Sequence, residues 1–75
     1  MEIVIPMPTI FFYILRRNAA PGSDAARALE AAAVGPSSIA FTVRCTRPTA
    51  MELQSLASRH CPKALAIIMS ALLSA

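Results

Sequence analysis

Only four acidic side chains, Glu2, Asp24, Glu30 and Glu52, and two glycines, Gly22 and Gly35, occur in this chain of 75 residues. So few carboxylates leave no pair for general acid–base work, and two isolated glycines leave no loop to cradle a phosphate. Cysteine is equally scarce. Cys45 and Cys61 are too few and too far apart for a disulfide framework, and neither belongs to a C-x-x-C pair. A reducing, cytoplasmic compartment is the expected one. His60 and Cys61 offer two neighbouring metal ligands but no second pair to complete a tetrahedral site, so no metal and no other cofactor is expected. With no Ser/His/acid arrangement either, neither enzymatic activity nor a small-molecule substrate is expected.

Long apolar runs are also missing. Ile10 to Leu15 is six residues and Ala64 to Ala75 is twelve, against the roughly 20 that a spanning helix needs. Glu2 stands where a secretory signal requires positive charge, and Pro6 and Pro8 interrupt the apolar stretch behind it. Either apolar run is short enough to lie against a bilayer surface instead.

Apolar side chains, by contrast, are abundant: 56% of the residues are hydrophobic, 15% are charged, and the mean hydropathy is +0.58. A single small domain of this length buries only about 60% of the surface its unfolded chain exposes. The surplus calls for a homodimer, a larger protein partner or a membrane surface. The net charge of +3 is lopsided. Arg16, Arg17 and Arg27 are balanced by Glu2, Asp24 and Glu30 in the first half, whereas Arg44, Arg47, Arg59 and Lys63 face Glu52 alone in the second. That half suits duplex DNA or another anionic surface, and equally an ordinary solvated exterior.

The pattern along the chain predicts a small single-domain α+β fold in three parts. Residues 1–22 read as an extended N-terminal segment and loop, because Ile3, Val4, Ile5 and the run Thr9 to Leu15 are rich in β-branched and aromatic side chains. A helix over Thr9 to Arg17 is the competing reading. Residues 23–35 read as a helix with Ser23 as cap, Asp24 in the first turn and Gly35 as terminator before Pro36. Residues 39–75 read as strand, helix, helix. Ile39, Phe41, Val43 and Cys45 alternate with Ala40, Thr42, Arg44 and Thr46. Thr49 and Glu52 match a reciprocal capping box, with Leu53, Leu56, Ala57 and His60 on one side of the helix they open. Pro62 ends that helix and opens the next, whose broad apolar face holds Leu65, Ile68, Met69, Leu72 and Leu73. Met51 and Met69 read as gap fillers.

The order and lengths of those last three elements resemble the ribbon-helix-helix family of transcriptional repressors. The resemblance covers residues 39–75 and rests on Phe41-Thr42-Val43-Arg44, on Leu53 to Ala57, and on Ile68-Met69 with Leu72-Leu73. It implies a dimer in which the strands of two chains pair into a ribbon entering the DNA major groove. Ala40, Thr42 and Arg44 would then contact bases, Arg44 gripping guanine with two hydrogen bonds. Arg47, Arg59 and Lys63 would contact phosphates. The turn Cys61-Pro62-Lys63 stands where that family usually carries glycine and a small hydroxyl residue, and its ribbon strand usually lies near the N-terminus.

Two other classes stay open. One is a non-enzymatic interaction protein that buries its apolar C-terminal helix in a partner, or lies on a membrane with Arg16, Arg17 and Lys63 toward the head groups. The other is an incidentally translated chain without an evolved function, which the alanine-, arginine- and proline-rich composition also suits.

Overall fold

Strand β1, Glu2–Met7, carries Ile3, Ile5 and Met7 on a buried face and Glu2, Val4 and Pro6 on an exposed one. This is the two-residue alternation of a sheet wet on one side. The computed structural model describes residues 1–35 and 40–75. Among them the chain forms an antiparallel sheet of three strands and a layer of four helices, an α+β architecture.

Helix α1, Thr9–Asn18, occupies the run for which extended structure was expected, and the competing helical reading holds. Pro8 stays extended as its N-cap and accepts the first helical hydrogen bond from the Phe12 amide at 3.0 Å. The missing N–H of a proline costs nothing there. Spacing decides the rest: Phe12 and Leu15 are buried and Phe11 and Ile14 half-buried, one apolar side of a helix.

Helix α2, Asp24–Glu30, opens as expected on Ser23, whose hydroxyl accepts from the Ala26 amide at 3.1 Å. Asp24 and Arg27 pair on its exposed side. The helix stops five residues earlier than expected, because Ala33–Val34 forms the short strand β2 instead. Gly35 is therefore no helix terminator; its amide donates to the Ala40 carbonyl beside β2. Gly22, with φ 79°, is the glycine that uses its freedom, in the turn before Ser23.

Strand β3, Phe41–Thr46, is the middle of the sheet. It pairs with β1 over its whole length, from Glu2↔Thr46 to Met7↔Phe41, and with β2 at Ala33↔Thr42 and Val34↔Phe41. Val43 and Cys45 point into the core, with Phe41 half-buried against it, the expected inward set. Ile39, also assigned to this strand, lies outside the described residues, and Ala40 precedes the strand.

Helix α3, Arg47–His60, begins earlier than the capping box requires. Thr46 is the N-cap and Thr49 sits one turn inside, buried, with its hydroxyl taking a hydrogen bond from Thr46 Oγ1 at 3.3 Å. The start is set by Pro48, whose fixed φ favours a first helical turn. Leu53, Leu56 and Ala57 are buried as expected, whereas His60 is exposed. Helix α3 ends at Cys61, whose amide donates to the Ala57 carbonyl at 2.8 Å, and the chain continues into helix α4, Pro62–Ser74. On α4 the buried residues are Ala64, Ile68 and Leu72.

The core lies between sheet and helices. Ile5, Met7, Val43, Phe12, Leu15, Leu29, Leu53 and Ile68 meet there, and Phe12 stacks on Phe41 with centroids 3.8 Å apart and rings tilted by 6°. Residues from both halves of the chain build it, through β1 against β3 and α1 against α3.

Candidate protein-interaction site

Helix α3 buries Leu53, Leu56 and Ala57, so the helical period turns Arg47, Met51 and Ser58 outward and leaves Gln54 half-buried on the flank. Helix α4 buries Ala64, Ile68 and Leu72, leaving Leu65 half-buried and Met69 and Leu73 exposed. The two helices pack side by side. Between their outward edges runs a groove made of two joined hollows, of about 630 and 210 Å³, that share Met51 and Gln54.

Met51, Met69, Leu72 and Leu73 make the smaller hollow largely apolar, while Met51 and Leu65 share the larger one with Gln54, Ser55, Ser58 and Arg59. Leu73 is 84% exposed. An isolated surface leucine needs no explanation, but Leu73 beside two exposed methionines makes a continuous patch. Methionine adapts its unbranched, polarisable side chain to whatever it meets, which is why it recurs on binding surfaces. Both methionines, expected to fill gaps in the core, stand at the surface instead.

Charge marks the ends. Arg47 borders one hollow and Arg59 the other, twelve residues further along α3, which is about 18 Å of helix. No acid lines either hollow among the described residues. Glu52 lines an adjoining crevice that shares Ser55 and Arg59 with the larger hollow and faces the turn between α1 and α2.

The residues expected to contact DNA fall into separate groups. Thr42 and Arg44 share the outward face of the sheet, where they sit opposite Pro6 and Val4 of β1. Arg44 approaches Glu2 at 3.6 Å, both side chains largely exposed. A pair so exposed is worth about 0–1 kcal/mol. Ala40 is half-buried and accepts from Gly35. Arg47 opens α3, while Arg59 and Lys63 flank the turn into α4, at the far end of α3. Thus Arg47 and Arg59 border the groove, and Ala40, Thr42 and Arg44 lie on the sheet.

A further hollow, about 640 Å³ and open, runs between β1 and α4 past Ile3, Val4, Pro6, Ile67 and Ser70. It holds no ionisable side chain among the described residues. Cys45 and Cys61 are both buried free thiols. Burial, with a smaller contribution from the Glu2 charge, pushes the Cys45 thiol above its ordinary range, which makes it a poor nucleophile.

Comparison with models of known families, with curated proteins and with solved structures finds no match for this chain. No helix among the described residues is long and apolar enough to cross a membrane.

Proposed function

We propose that this chain is a small, non-enzymatic, cytoplasmic interaction module whose α3–α4 groove holds an amphipathic helix of a protein partner. The observation that carries the reading is the exposed set Met51, Met69 and Leu73 in a groove with an arginine at each end. A helix laid in a groove is recognised through apolar residues at helical spacing. Arg47 and Arg59 add a preference for acidic residues flanking that apolar stripe. A second copy of this chain fits less well, because it would bring further arginines to the same groove.

Selection from a displayed library of helical peptides tests this. Binders are expected to share an apolar stripe flanked by acids, and to lose at least about 30-fold in affinity to Leu73→Asp, the scale of an interface hot spot. Recovery of sequences without acids, or equal binding to Leu73→Asp, would refute it.

Duplex DNA is the second reading, favoured by exposed Arg44 and half-buried Thr42 on the outward sheet face. The strands offered to a groove would then be β1 and β3 of one chain, since β1 occupies the edge through which two ribbon-helix-helix strands would pair. Salt-sensitive retardation of duplex DNA that Arg44→Ala weakens would support it.

A further inference from the structure

Helix α1 has an outward side that the α3–α4 groove does not use. With Phe12 and Leu15 in the core, Ile10, Tyr13 and Arg17 fall at positions i, i+3 and i+7 on the exposed line of the helix. Ile10 is 66% and Tyr13 52% exposed. Tyr13 meets both Phe12 and Phe41 edge-on, at 5.3 and 5.6 Å, so its ring is held by two aromatic neighbours. Val34, 77% exposed, is the register partner of Phe41 across the sheet and continues the patch.

We propose that this surface seats the protein on an anionic bilayer. The charge fits that occupant: Arg16 and Arg17 close the apolar line, form no ion pair among the described residues, and share α1 with no acid. On neighbouring α2, Asp24 is already paired with Arg27, which leaves Glu30 as its one unpaired acid among the described residues. Tyrosine places its ring at the boundary of hydrocarbon and head groups, with its hydroxyl toward water. Ile10 and Val34 gain by entering the acyl boundary and would gain nothing from a phosphodiester backbone, so a lipid surface is favoured over nucleic acid. The helix is ten residues long, about half of what a spanning helix needs.

Co-sedimentation of the full chain with vesicles tests this, using phosphatidylcholine alone and an equal mixture with phosphatidylserine. Binding to the mixed vesicles alone is expected. Arg16→Gln with Arg17→Gln should weaken it about 30-fold, and Ile10→Ser should weaken it without changing the helical circular dichroism. Tyr13 is the single tyrosine in a chain without tryptophan. Its emission should therefore be quenched by brominated acyl chains, while Leu73→Asp leaves binding intact. Equal binding to both vesicle types, or unquenched Tyr13 in the bound protein, would overturn the proposal. So would partition that ignores the arginine pair or Ile10→Ser.

Discussion

Phe12 shows how much one side chain carries in a protein this small. It is fully buried, stacks on Phe41 and connects α1 to the start of β3. Truncating such a residue costs about 3–5 kcal/mol, a large part of the roughly 4–11 kcal/mol that a chain of this length holds in total. Phe12→Ala should therefore shift the urea midpoint far down or leave no folded baseline. Leu73→Asp, at an exposed position, should change it by less than about 0.5 kcal/mol. Cys45 makes a second residue-scale test. Its thiol ionises at higher pH folded than unfolded, because burial and the Glu2 charge disfavour the thiolate. The unfolded chain thus gives up its proton first, so stability is intact below the ordinary thiol range and falls as pH rises through it toward the folded value. The melting temperature of the native chain should drop over that window, and Cys45→Ala should flatten the drop.

At the scale of elements, the C-terminal strand-helix-helix is not self-sufficient. Its β3 takes all six of its paired positions on one side from β1, and α4 rests on β1. A peptide of residues 39–75 should show no cooperative thermal transition by circular dichroism, while the full chain melts in one step. This dependence was not legible in the sequence, because alternation in residues 3–7 and 41–46 marks two strands without saying that they pair. Much else was legible. The inward set Phe41, Val43, Cys45, the Ser23 cap, the break at Pro62 and the buried Leu53, Leu56 and Ala57 all come from local periodicity and capping chemistry. Helix α1 was obscured because Ile10, Phe11, Phe12, Tyr13 and Ile14 have strand-like side chains, and only the burial of Phe12 and Leu15 selects the helical period. Strand β2 was obscured because Ala31, Ala32 and Ala33 are strong helix formers that read as a continuation of α2, and pairing with Thr42 and Phe41 outweighs that propensity at Ala33. The groove was partly readable: once Leu53 and Leu56 are placed inward, Met51 must face out. That Met69 and Leu73 join it depends on how α4 is rotated against α3.

For the molecule as a whole, the apolar surplus of the sequence is only partly absorbed by its core. Much of the remainder is gathered at two places bordered by arginines, the α3–α4 groove and the outer line of α1, and a further part lies at Val4 and the uncharged hollow between β1 and α4. Because Arg47 and Arg59 act on a partner across solvent-exposed rims, they should govern association rate more than residence time. Raising salt or making Arg47→Gln with Arg59→Gln should slow peptide association measured by stopped flow, with dissociation little changed. The most direct test is to titrate the labelled protein with an acidic helical peptide selected on it and map amide shifts by NMR. The groove requires the shifts to gather at Met51, Gln54, Met69 and Leu73 and to vanish in folded Leu73→Asp; shifts gathered at Thr42 and Arg44, or undiminished in Leu73→Asp, would contradict it.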